Sequence, residues 1–202
     1  MNQPKKQKQT LRQILRKKRS LLSNTELQQK SRQICKQIID SELFKSARNV
    51  GFYHAVGGEA DPSCLCQTHQ NKQFFLPVLS ARGTTDKPDS LLFCPISANT
   101  QYQHNRFKIP EPVYTPDQLI TADELDLLIM PLVGFDKNGN RLGMGGGFYD
   151  RSLAFKQNQT NSKPALLGFA YDFQELEQLN SEPWDIRLEW IATESVLFKC
   201  RA

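Results

Sequence analysis

The 202-residue chain has few cysteines and no metal-ligand spacing among them. The five (Cys35, Cys64, Cys66, Cys94, Cys200) are an odd set, which excludes a disulfide scaffold and points to free thiols in a reducing, cytoplasmic setting. Long apolar runs are lacking as well. The longest, residues 127–135, contains Pro131 and has nine residues. A membrane helix needs about 20, so no span is expected. The basic N-terminus lacks the apolar stretch of a secretory signal. Glycine and proline, 11 each, are too few for a collagen-like or low-complexity chain. What remains is an ordinary globular composition, long enough for one domain over residues 1–202 with its own core.

Acidic residues are missing from the first 19 positions, which hold eight basic ones (Lys5, Lys6, Lys8, Arg12, Arg16, Lys17, Lys18, Arg19). The rest of the chain carries 18 basic and 21 acidic residues, a net of −3. The formal charge of +5 therefore belongs to one segment, which must either bind a polyanion or reach over the body to something phosphorylated.

Residues 6–22 read as a helix with Leu11, Ile14, Leu15 and Leu22 on one stripe. Lys8, Arg12, Arg16 and Arg19 border it, where long side chains can lay their stems on apolar surface and present charge to a neighbouring crevice. Ser23 and Glu26 form a capping box for a second helix, about 24–43. The period then changes. Strand patterns occupy 49–54, 74–78, 91–96, 127–133, 165–170 and 190–194. Asp61 and Pro62 open a helix to about Gln70, residues 81–90 are a polar turn, 97–118 are loop-like, and helices are expected at 147–157 and 173–179. Strands alternating with helices imply an α/β fold: a mostly parallel central sheet with helices on both faces, Rossmann-like, with the basic N-terminal helix packed over a phosphate site.

That site is read from the string RLGMGGGFYDR, residues 141–151, between the most apolar strand and a helix. Glycines let backbone approach a ligand closely, and amides at a helix start attract phosphate. Arg141 adds charge from a loop, so its loss is expected to spare the fold. Asp150 follows the cradle at a place where a bridging Mg²⁺ takes oxygen ligands. The string is neither a Walker A loop nor a dinucleotide fingerprint.

The string resembles the RLGxGxGYYD signature of the 5-formyltetrahydrofolate cyclo-ligase family, also called methenyltetrahydrofolate synthetases. Other segments are similar in order and spacing. KQTLR at 8–12 with Arg19 resembles the family's opening K-x-x-L-R…R. Glu59 to Asp61 resembles EvdT, residues 75–78 the lPv strand, 109–112 GIxEP, 126–136 DlvlvPgvaFD, and 184–194 HDxxxDxiiTe. Lys108 stands for the glycine of GIxEP, Pro62 for a threonine, Phe148 for a tyrosine, Trp184 for a histidine and Glu189 for an aspartate.

The resemblance implies conversion of 5-formyltetrahydrofolate, ATP and Mg²⁺ to 5,10-methenyltetrahydrofolate, ADP and phosphate. It implies a fold like the sugar-phosphate isomerases and CoA transferases. ATP would be met by Lys8, Gln9, Thr10, Leu11 and Arg12, and by Arg141, Leu142, Gly143, Met144, Gly145, Gly146, Gly147, Phe148 and Tyr149. Arg141 and Lys8 would act in catalysis. The folate would be met by His54 and Glu59 with Met144, Gly145, Gly146, Gly147 and Phe148, and Tyr149 and Phe107 would stack on it. Asp150 and Asp185 would hold Mg²⁺. A monomer without nucleic-acid or membrane partners is expected. Two rivals are a nucleic-acid-binding module using the basic helix, which would show a steep salt dependence, and a sugar-phosphate isomerase-like enzyme, which would need no ATP.

Overall fold

The structure, a computed structural model, describes residues 3–67, 71–79, 90–158 and 162–201. Residues 81–89 of the expected polar turn and the end of the helix expected to reach Gln70 lie outside them.

The chain opens with α1 (Gln3–Ser20), whose last turn carries Lys17, Lys18 and Arg19, the charge that suits a helix C-terminus. Its inward stripe is Leu11, Leu15 and Arg19, continued past the helix end by Leu22; Ile14, expected on it, is 49% exposed. α2 (Asn24–Ile39) starts on the Ser23–Glu26 capping box, and α3 (Glu42–Ser46) follows with its own cap at Ser41. The expected single helix thus breaks near residue 40.

Seven strands form the central sheet: β1 (Asn49–Gly51), β2 (Gln73–Leu79), β3 (Leu91–Ile96), then β6 (Leu127–Pro131), β9 (Ala165–Phe169), β10 (Trp190–Ala192) and β11 (Leu197–Lys199). Between them lie two ribbons, β4 (Tyr102–His104) with β5 (Pro110–Pro112), and β7 (Gly134–Phe135) with β8 (Arg141–Leu142). The order across the sheet is β11-β10-β9-β6-β1-β2-β3. The ladders are parallel from β2 through β10, and antiparallel at the β3 and β11 edges. β1 is shorter than expected, the expected last strand is followed by β11, and the region read as loop-like holds the β4–β5 hairpin.

The core has two leaves. One packs Ile34, Ile38 and Phe44 of α2 and α3 on Val50, Leu127, Ile129 and Leu167; the other packs Phe75, Phe93, Leu128, Met130, Leu166 and Ile191. The second leaf is covered by α4 (Phe148–Ser152), a 3-10 turn at Ala154–Asn158 and the segment around Leu125. The long helix expected at 147–157 is therefore one α-helical turn followed by 3-10 helix. The Ser152 hydroxyl, which donates to the Phe148 carbonyl, accepts the Leu91 amide of edge strand β3 and ties the chain there. The helix expected at 173–179 is only a 3-10 turn at Asp172–Gln174. Beyond it the Leu176 and Leu179 amides donate to Phe135 O and Asp136 Oδ2 instead of to a helix.

Cys35 of α2 and Cys64 in the Pro62–Gln67 turn are joined as a disulfide, so the expectation of free thiols throughout does not hold for these two. They lie 29 positions apart, a separation with no signal of its own, and meet because α2 docks on that turn. Cys66, Cys94 and Cys200 are free.

Candidate active site

Sheet order reverses between β1 and β6, and in open α/β sheets the crevice at the carboxyl ends of such a pair is where ligands bind. The chain leaving β1 runs through buried Phe52 and Tyr53 to His54, then turns at 56–59 to Glu59. The Tyr53 hydroxyl donates to Ala60 O and closes this loop. His54 stands edge-on to Tyr102, with centroids 5.3 Å apart. Its Nε2 is buried without a hydrogen-bond partner among the described residues. Burial pulls the imidazole below its usual range, so it is neutral at pH 7. Glu59 is buried; its Oε2 accepts the Val56 amide at 3.2 Å, and its Oε1 lies 3.7 Å from Arg19 Nη1.

From β6 the chain passes through β7 into a tight turn around Asp136. That buried carboxylate accepts the amides of Asn138, Asn140 and Leu179 and the Asn140 side chain. The turn fixes β8, and so Arg141. The Arg141 side chain is only 6% exposed, contrary to the loop charge expected, and donates to Asp150 Oδ1 at 2.6 Å. The same oxygen accepts the Ile186 amide at 3.1 Å. The guanidinium carbon lies 5.8 Å from the Tyr149 ring centre, and Arg141 Nε is buried and unpartnered among the described residues. Burial pushes the Tyr149 phenol up; the Arg141 charge opposes this and the Glu59 charge adds to it.

The glycine loop lies beside α1. Arg12 Nε donates to Gly143 O at 2.8 Å. Gly145 and Gly147 have φ of 99° and 66°, where a side chain would be strained. Lys8 lies 3.5 Å from Asp185 and 3.6 Å from Glu182. Of the remaining residues expected to meet ATP, Gln9 and Thr10 are exposed, Leu11 and Leu142 pack in the core beneath, and Met144 is exposed. Phe148 packs at 5.8 Å on Phe107, at the tip of the β4–β5 hairpin. Phe107 thus neighbours Phe148, while Tyr149 faces Arg141. Arg106 and Arg151, which the sequence reading passed over, stand over the Phe148 ring at 6.0 and 5.0 Å. No spacing signal marks Arg106.

Among the described residues no group of three or more His, Cys, Asp or Glu is placed to hold a metal. Asp150 and Asp185 each face a cation, Arg141 and Lys8. Both bonds to Asp150 fall on Oδ1, outside Oδ2. Two carboxylates suit Mg²⁺, which usually takes one or two from protein and the rest from substrate phosphates and water.

Residues 4–194 match the model of the 5-formyltetrahydrofolate cyclo-ligase family. The chain belongs to that family. It is 37% identical to a 5-formyltetrahydrofolate cyclo-ligase of Haemophilus influenzae, over 93% of this chain and 97% of that one. It is 34% identical to the Escherichia coli K12 5-formyltetrahydrofolate cyclo-ligase, over 92% and 100%. The NMR structure of Aquifex aeolicus 5,10-methenyltetrahydrofolate synthetase superposes with a TM-score of 0.80 at 28% identity, covering 96% of this chain and 93% of that one. In this cyclo-ligase family member two departures from the family pattern are visible. Lys108 adopts φ 59° where the pattern has glycine, and Trp184, in place of histidine, is 62% exposed.

Proposed function

We propose that this chain, acting as a single-domain monomer in the cytoplasm, uses ATP to close 5-formyltetrahydrofolate to 5,10-methenyltetrahydrofolate, releasing ADP and phosphate. Supporting this reading is one juxtaposition: helix α1 holds the glycine loop through Arg12 and, about two turns on, the turn of the buried Glu59 carboxylate through Arg19.

A formamide oxygen is a poor leaving group. Transfer of the γ-phosphoryl group to it breaks the bond to ADP and makes a phosphate ester of the formyl oxygen. N10 then attacks the formyl carbon, the C–N bond forms, phosphate leaves with the oxygen, and the N10 proton is lost. Protein catalysis of such a transfer is positioning and charge neutralisation. Lys8, Arg12 and Arg141 supply positive potential and the amides of residues 143–147 receive phosphate oxygens. Asp150 and Asp185 are the residues to hold Mg²⁺, which when bound neutralises polyphosphate charge. Glu59 accepts hydrogen bonds from the pterin edge, and neutral His54 offers its unpartnered Nε2 beside it.

The nucleic-acid reading has less support, because Lys8, Arg12 and Arg19 are turned onto the body's own groups. An absorbance assay for methenyltetrahydrofolate, with ATP and Mg²⁺ each present or omitted, tests the proposal. Product is expected only with both; product without ATP would contradict it.

A further inference from the structure

Arg19 occupies a place on the buried face of α1 that Leu11, Leu15 and Leu22 otherwise fill. At 4% exposure its guanidinium is costly to keep unless partners answer it. Its Nε donates to Gly57 O at 2.9 Å. A Cβ on Gly58 would lie 3.4 Å from Arg19 Cγ, so the 57–58 turn rests on the arginine stem. Its Nη1 is 3.7 Å from Glu59 Oε1, with both side chains under 8% exposed. Seven residues earlier the same helix carries Arg12 on the glycine loop, about 10 Å away along the axis.

The geometry points to Arg19 as a positioning residue for substrate recognition: it anchors the 57–59 turn and aims the buried Glu59 carboxylate. This rests on the proposed role of Glu59 at the folate. Arg19 contacts that carboxylate, and Arg16 of α1, Tyr53 after β1 and Tyr149 of α4 interact with its charge. Both phenols are pushed up by burial and stay neutral. Burial also pushes the Glu59 carboxyl up, while Arg19, the Val56 amide and Arg16 pull it back. Removing Arg19 therefore lets it rise, and the acid limb of folate use moves to higher pH.

The test compares KM for 5-formyltetrahydrofolate, KM for ATP and the pH profile of kcat/KM in the parent, Arg19→Gln, Arg19→Lys and Glu59→Gln. Arg19→Gln is expected to raise the folate KM about tenfold or more, leave the ATP KM within about twofold, and shift the acid limb upward. Arg19→Lys, which keeps the charge, should hold the acid limb near the parent's while the folate KM still rises. Should Arg19→Gln fail to fold, Arg19→Lys decides: a raised folate KM with the parental ATP KM and acid limb supports the role, and an unchanged folate KM or equal rises in both KM values overturn it. Equal rises in both KM values in Arg19→Gln, with no shift of the acid limb, mark a merely structural arginine and also overturn it. If Glu59→Gln leaves the folate KM unchanged, the reading of Glu59 itself fails. If Glu59→Gln raises it while both Arg19 variants do not, only the role of Arg19 is lost.

Discussion

Lys108 adopts φ 59° at the turn that carries Arg106 and Phe107 towards Phe148. An L-residue there costs about 1–2 kcal/mol, and glycine returns part of that by loosening the unfolded chain, about 0.4–1 kcal/mol. Lys108→Gly should therefore stabilise the protein by roughly 0.5–1 kcal/mol and raise the thermal midpoint by about 2 °C. A lowered midpoint would show that the lysine side chain contributes more than its backbone costs. Arg141 is the opposite case. Its removal strands the largely buried Asp150 carboxylate. Arg141→Ala should lower stability by about 1–3 kcal/mol as well as weaken ATP use. Denaturant midpoints check this, and an unmoved midpoint would mean the ion pair contributes nothing. The sequence could flag Arg141 by its place before the glycines, but not its burial, which comes from the Asp136 turn that folds β8 inward.

At the scale of elements, α1 is where sequence and structure inform each other most. Its charge bias was legible, and so was its helical period. That Arg19 lies inside the apolar stripe was not, because its partners Gly57 and Glu59 are some 40 positions away and no local pattern reports them. The strands 74–78, 91–96, 127–131 and 165–169 were legible as apolar runs, which buried strands require. The helix expected at 147–157 is realised as an α-helical turn and a 3-10 turn, and the one expected at 173–179 shrinks to a 3-10 turn because the Leu176 and Leu179 amides bond to β7 and the Asp136 turn. The Cys35–Cys64 pairing was equally invisible, being a product of docking. Deleting residues 1–12 removes Lys8 and Arg12 but keeps Leu15 and Arg19 in place. The truncated chain is expected to fold and to lose ATP binding in a calorimetric titration. Normal ATP affinity would give the basic helix another task, and nucleic-acid affinity would be measured next.

On the scale of the whole molecule, the crevice between the ends of β1 and β6 has two sides of unlike chemistry. The β6 side offers cations and open backbone, suited to a polyphosphate. The β1 side offers a buried carboxylate and a neutral imidazole, suited to a flat polar heterocycle. Helix α1 touches both through Arg12 and Arg19. If the two sides serve one reaction, ATP breakdown and ring closure are coupled, and measuring ADP and methenyltetrahydrofolate together in one reaction at neutral pH tests this most directly. One ADP is expected for each methenyltetrahydrofolate formed, and neither product without the other substrate. Methenyltetrahydrofolate formed with no ADP, or ADP formed at the same rate without the folate, would contradict it.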